Sequence, residues 1–227
     1  MSNVETNRKS IPIFAAKISA KLTSKKIYVV RHGQTDFNLQ NIVQGSGIDS
    51  DLNARGREQA KAFYTAYKHI PFDKIYTSNL KRTRQSVQSF IDDGFPVESL
   101  AGLNEISWGI REGTRITAEE DEYYHQMIEA WQNGDTSRRI EGGESPDDVV
   151  LRMKPAITHI LEATHEETVL VCMHGRAIRI LMCILLNYPL RCMDDFAHEN
   201  LGLYKVIYNG SFFTVELYND TAHFRLS

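Results

Sequence analysis

Cysteine is scarce in this chain. Its 227 residues hold three, Cys172, Cys183 and Cys192, an odd number with no close pair of metal-ligand spacing. That excludes a disulfide framework and a compact zinc knuckle. All three fall in or near apolar segments, which reads as free thiols of a reducing compartment and makes the cytoplasm the expected location. Long hydrophobic runs are also missing. The densest stretch, 180–186, is bracketed by Arg179 and Asn187, far short of the ~20 residues that span a bilayer. A soluble protein with no membrane partner is expected. Nor is there an excess of charge of one sign: 26 Lys+Arg stand against 29 Asp+Glu, a net −3. No overall field gathers polyanions, so a nucleic-acid partner is not expected and any anion binding must come from a local arginine cluster. Internal repeats and low-complexity blocks are absent too.

What is present is 42% hydrophobic content over 227 residues, enough for one α/β domain of roughly 200–250 residues. Residues 1–25 are rich in Ser and Lys and read as an N-terminal extension, a surface tail or docking segment. An organelle-targeting peptide is the alternative, against which Glu5 counts. A single domain is expected over 26–227.

Short β-branched or apolar runs at 26–30, 73–77 and 168–173 have the composition of buried parallel strands. Each is followed, directly or after a loop, by a helical pattern, at 53–68, 79–91 and 175–186. Another strand is expected at 96–100, and 201–208 with 211–218 alternates around Asn209-Gly210 as a hairpin. The sheet should be mixed, with an antiparallel edge. Ser145-Pro146-Asp147-Asp148 is a helix start: a serine cap, proline at the first helical position and two carboxylates at the positive end of the dipole. Residues 106–143, with a helix near 118–132, carry no β pattern and look like an insertion over one end of the sheet.

Ligands of open α/β sheets gather outside the carboxyl ends of the strands. The residues there are Arg31-His32-Gly33, Ser78 through Arg82, and His174-Gly175. Two histidines and two arginines from three strand ends would therefore meet in one crevice.

The run Arg31-His32-Gly33-Gln34-Thr35-Asp36-Phe37-Asn38 resembles the signature of the histidine phosphatase superfamily, which includes the cofactor-dependent phosphoglycerate mutases. The resemblance continues through Gln44-Gly45, 52–60, 78–86, Leu103-Asn104-Glu105, Trp108-Gly109, Glu112-Gly113, Gly143-Glu144-Ser145 and His174-Gly175, and covers 26 to about 187 in order. It implies a three-layer α/β sandwich with a mostly parallel central sheet, a small helical cap at 106–143, a phosphate monoester as the small-molecule partner, and neither cofactor nor metal.

Phosphoryl transfer spreads charge over three equatorial oxygens, so positioning and electrostatic stabilisation supply most of the catalysis. Arg31 and Arg82 suit that task, because a planar guanidinium binds phosphate oxygens bidentately. Arg55, Arg57 and Arg84 read as solvated charges. A neutral imidazole can attack phosphorus, and His32 would be that nucleophile. By the resemblance, a backbone carbonyl beside Gly33 holds its other ring nitrogen. His174 would donate to the phosphoryl oxygens. Glu105 matches the family's proton donor, and on local context alone it reads equally well as a surface carboxylate. Asn38 and Gln44 would complete the phosphate pocket with Gly175, and Gly45 would let the backbone approach the ligand closely. Asp36 is given no role.

Zinc is a weak rival, because arginine beside a ligand opposes a bound cation and no H-E-x-x-H spacing occurs. A scaffold that keeps the fold without catalysis is a second rival. Within the enzymes the alternatives are hydrolysis and mutase-type phosphotransfer. The resemblance implies that mutases carry a longer, basic, proline-rich insertion. Here Arg138-Arg139 is followed by Ile140-Glu141-Gly142-Gly143, so a less closed site and hydrolysis are favoured. Residues 46–50, 109–115 and 123–131 would set specificity, and the aromatics there could stack on a ring or, as is commoner for such residues, pack on the sheet. Arg111 and Arg115 read either as binders of a second anion or as solvated charges. A homodimer is the general default for the assembly.

Overall fold

The computed structural model describes residues 24–225, and the expected N-terminal extension lies almost wholly outside the described residues. Six strands form one sheet in the order β3-β2-β4-β1-β5-β6. They are β1 Lys25–Arg31, β2 Lys74–Thr77, β3 Val97–Ser99, β4 Thr168–Met173, β5 Leu203–Tyr208 and β6 Phe213–Asp220. The first four are mutually parallel; β5 runs antiparallel to β1, and β6 antiparallel to β5. Helices α1 Asp36–Leu39, α2 Ala54–Tyr67, α3 Lys81–Ser86, α4 Gln88–Asp92, α5 Ala118–Gln132, α6 Pro146–Glu162 and α7 Gly175–Leu186 complete it.

Alternation along the central strands explains the layers. Ile27, Val29, Val169, Val171 and Met173 face one core with side chains of α6, α7 and Trp131. Tyr28, Val30, Leu170 and Cys172 face the other with Phe63 and Phe90 of α2 and α4. Covering both faces is what makes parallel strands read as continuous apolar runs. Each fully buried Val or Leu there contributes about 1.5–3 kcal/mol. Lys25, at the start of β1, is buried because its ammonium donates to the carbonyls of Ile160 and Ala163 and so closes the carboxyl end of α6.

Ser145 caps α6 as expected, accepting from Asp148 N while Asp148 accepts from Ser145 N. Two expectations need correction. The helix expected over 79–91 is two pieces, α3 and α4, meeting at Val87. Ser86 Oγ donates to Arg82 O at 2.7 Å, the back-bonding that bends helices. The hairpin turns through four residues rather than two, because Asn209 Oδ1 accepts from both Ser211 N and Phe212 N at 3.0 Å. Cys172 and Cys183 are buried and Cys192 half-buried, all unpaired. Among the described residues no helix is long and apolar enough to cross a membrane.

Candidate active site

The sheet register brings three strand ends level. Thr77 lies opposite Cys172, and Cys172 opposite Val30, so Ser78, His174 and His32 emerge side by side. The His32 N–H donates to Met173 O at 3.0 Å, which carries the ladder one residue beyond β1. Asn200 Nδ2 donates to the His32 carbonyl at 2.9 Å and Leu201 N to the Arg31 carbonyl at 3.0 Å. Leu201 holds a left-handed φ of 56° to do so, a conformation disfavoured for a leucine.

His32 Nδ1 lies 2.7 Å from Gly33 O. A carbonyl only accepts, so Nδ1 carries the proton and Nε2 the lone pair. Gly33 is fixed in turn: its N–H donates to Ser86 Oγ at 2.9 Å. A Cβ on Gly33 would meet Gly56 O at 2.6 Å, so this loop and the start of α2 approach at backbone distance. The ring of His174 is 5.1 Å from that of His32, centroid to centroid. Its Nε2 is 2.8 Å from Ser78 Oγ, and its Nδ1 is buried without a partner among the described residues. Burial, reinforced by the charges of Arg82 and Arg31, holds the His32 imidazole well below its usual range. Burial and Arg82 do the same to His174. Both rings are neutral.

Arg82 is fully buried in α3, donating to Ile48 O at 2.7 Å and Gly45 O at 3.2 Å. In the orientation that satisfies both its ends, the Gln44 amide accepts from Arg82 Nη1 at 3.0 Å and donates to Thr35 Oγ1 at 2.8 Å. Burial lowers Arg82 to about 10, still charged at neutral pH. Arg31 Nη1 donates to His198 O at 3.0 Å, and Arg31 Nε is buried without a partner among the described residues. His198 Nδ1 lies 3.3 Å from the same Nη1; burial, Arg31 and Arg179 press its pKa down to about 3, so it accepts. Neither Arg31 nor Arg82 has an ion-pair partner among the described residues. Two such guanidiniums beside two neutral imidazoles make a site for an anion.

Glu105 is 7% exposed, which rules out an ordinary surface carboxylate. Its Oε1 accepts from Ile106 N at 3.0 Å and Ala177 N at 2.9 Å, and its Oε2 from Arg176 N at 3.1 Å. It thus closes the first turn of α7, next to His174. Arg152 supports this loop, donating to the carbonyls of Gly102, Asn104 and Glu105 while pairing with Glu144 at 2.7 Å.

The other expected residues fall into place unevenly. Asn38 Oδ1 accepts from Thr35 N at 3.2 Å in the capping box of α1. Gly45 has a use the sequence did not show: a Cβ there would meet Glu112 Oε1 at 2.3 Å and Ile106 O at 2.6 Å. Its bareness makes room for Glu112, while its carbonyl holds Arg82. Gly175 leaves space beside Arg31 Nε, 3.4 Å from where its Cβ would stand. Arg55 pairs with Glu58 at the surface and Arg84 is exposed, as expected; Arg57, though exposed, donates to Leu52 O. Arg111 lies over the Tyr123 ring at 5.0 Å, and Arg115 is exposed. Among the described residues no group of three His, Cys, Asp or Glu side chains is placed to hold a metal ion.

The sequence profile of the histidine phosphatase superfamily (branch 1) matches residues 27–221. The chain belongs to that superfamily. The chain is 34% identical over 189 residues to 6-phosphofructo-2-kinase/fructose-2,6-bisphosphatase 1 of Mus musculus, covering 82% of the chain but 37% of the relative. It therefore spans well under half the length of those relatives. It is 32% identical over 207 residues to "Probable phosphoglycerate mutase GpmB" of Yersinia enterocolitica, covering 87% of the chain and 94% of that protein. Among solved structures, the alpha-ribazole phosphatase of Shigella flexneri superposes with a TM-score of 0.75 at 25% identity, covering 86% of this chain and 96% of that one. The mycobacterial glucosyl-3-phosphoglycerate phosphatase shares the fold, with a TM-score of 0.76 at 23% identity, over 87% and 100% of the two chains.

Several residues of this site could not be assigned from the sequence. Ser78 and Ser86 were visible only as members of a motif, and their partners lie 96 and 53 residues away. His198, Asn200 and Leu201 follow the point where the resemblance ended, and no local pattern marks them. Glu112 was quoted with its glycine but given no task. Its Oε1 accepts from Trp108 N at 3.0 Å, and it packs on the loop of Gly45 and Gly47 that holds Arg82.

Proposed function

We propose that this histidine phosphatase hydrolyses phosphate monoesters, without a metal ion, through a phosphohistidine formed on His32. The observation that carries the reading is the fixed tautomer of His32: a neutral imidazole, its Nδ1 bound to Gly33 O at 2.7 Å, with the Nε2 lone pair left for attack.

The Nε2 lone pair forms a bond to phosphorus as the ester P–O bond breaks. Arg31 and Arg82 neutralise the equatorial oxygens. Arg31 Nε and His174 Nδ1, both buried without partners among the described residues, are groups a phosphoryl oxygen would satisfy. When the Ser78 hydroxyl donates to His174 Nε2, Nδ1 carries the proton and faces the phosphate as a donor. The departing alkoxide takes a proton from Glu105, whose Oε2 accepts one backbone N–H and so has a position for it. Water then attacks phosphorus, yields a proton to the Glu105 carboxylate, and releases inorganic phosphate with His32 restored.

The names of the relatives and structural neighbours include phosphatases and probable phosphoglycerate mutases. The cap supports hydrolysis over phosphotransfer. Arg139, of the arginine pair, is bound to Asp148 at 2.8 Å, at the start of α6. It does not close over the phosphate.

The test is phosphate release from 4-nitrophenyl phosphate in excess chelator, for the native chain and His32→Ala. Release that survives the chelator and falls by at least ~10⁴-fold in the variant is expected. Near-normal release from the variant would sink the mechanism, and interconversion of phosphoglycerate isomers without phosphate release would favour the mutase.

A further inference from the structure

Beside the phosphate site, beneath α5, lies a cavity of about 180 Å³. Its walls are Val43, Trp108, Ile116, Tyr123, Tyr124 and Ile140; Gln44, Thr114 and Arg111 supply its polar groups. Gln44 links it to the phosphate site: its amide reaches Arg82, and the same residue also lines the cavity.

The aromatic wall is braced from behind. Trp108 packs against Tyr124 at 5.7 Å and Trp131 at 6.0 Å between ring centroids. Two polar atoms of this cluster are turned to the protein: Arg176 Nη2 donates to the Tyr124 hydroxyl at 2.7 Å, and Trp131 Nε1 donates to Arg138 O at 2.9 Å. Arg111 lies along the Tyr123 ring, where a guanidinium extends an aromatic surface. What the cavity offers a ligand is mainly ring faces and methyl groups, with an amide, a hydroxyl and the Arg111 guanidinium at its edge.

We propose that this cavity is the leaving-group pocket and selects phosphate monoesters of alcohols bearing an apolar ring, an inference that rests on the phosphatase reading. Size agrees: an apolar cavity of ~150 Å³ takes up benzene, so this one holds a single ring. A short polyanion would meet one guanidinium, Arg111, and otherwise aromatic and aliphatic carbon, against which its second charge is desolvated.

Two measurements on the full chain test the pocket. The first compares kcat/KM for 2-phenylethyl phosphate and ethyl phosphate, whose leaving alcohols are of similar acidity. The second compares calorimetric binding of the matching, non-hydrolysable phosphonates. The ring should be favoured on the order of 100-fold in both. Ile116→Trp, at the half-exposed rim, should fill the cavity and bring both ratios within about threefold. Equal turnover of the two esters, with equal phosphonate binding, overturns the pocket and leaves the phosphatase reading intact. Ring-selective binding without turnover of either ester keeps the pocket and sinks the phosphatase. A preference for 3-phosphoglycerate over both esters, or a ring preference unchanged in Ile116→Trp, also overturns the proposal.

Discussion

At the phosphate end the working side chains are pinned by named hydrogen bonds: His32 by Gly33, Gly33 by Ser86, His174 by Ser78, Arg82 by Gly45, Ile48 and Gln44. Under the cap the walls are mostly rings and methyl groups set by packing, on a helix and loops, with the Tyr124 hydroxyl tied back to Arg176. Directed bonds fix atoms to the tolerance that in-line displacement needs. Packing fixes a shape, which suffices to admit one alcohol and reject another. One end is therefore suited to a reaction and the other to a choice of substrate.

The contrast can be broken by experiment. If the phosphate end is indifferent to the alcohol, Arg82→Ala lowers kcat/KM by about 10²–10³-fold on every ester in a panel. Losses that vary with the alcohol would mean Arg82 reads the leaving group. Glu105→Gln sharpens the division from the other side. It should cost roughly 10²-fold or more on alkyl phosphates, whose alkoxides need a proton, and far less on 4-nitrophenyl phosphate. Equal losses on both remove Glu105 as the acid and leave it a cap of α7. The smallest effect is on stability. His32 and His174 are held neutral in the fold while the unfolded chain takes up protons near the ordinary value of 6.5. Their contribution is therefore complete above that pH and declines as pH falls below it, by up to about 1.4 kcal/mol per pH unit for each ring. Melting temperature should drop between pH 7 and 5, and a flat profile would contradict two neutral imidazoles.

Much of the fold was legible. The strands and α7 show in composition and period, and the start of α6 shows in Ser145-Pro146. Strand-end residues announce the phosphate site because topology sends them to one crevice whatever the rest of the chain does. What stayed hidden depends on tertiary partners. Ser86 breaks a helix and holds Gly33 at once, and a lone serine in a helical pattern signals neither. The hairpin missed its two-residue turn because the Asn209 side chain competes for the backbone N–H groups. The aromatics of 123–131 could be read as packing or as ligand contacts. Only the placement of α5 against Trp108 and the loop of Gln44 separates the two.

Glu105 is fastened to the backbone of Arg176 and Ala177, directly after His174. The group that would hand over the proton and the imidazole that would donate to the phosphoryl oxygens, His174, are thus mounted on one helix end, while the alcohol meets a separate part. On the phosphatase reading, an exchange of α5 alone would change the clientele and spare the chemical workbench, whereas Glu112, packed on the loop that holds Arg82, has to stay.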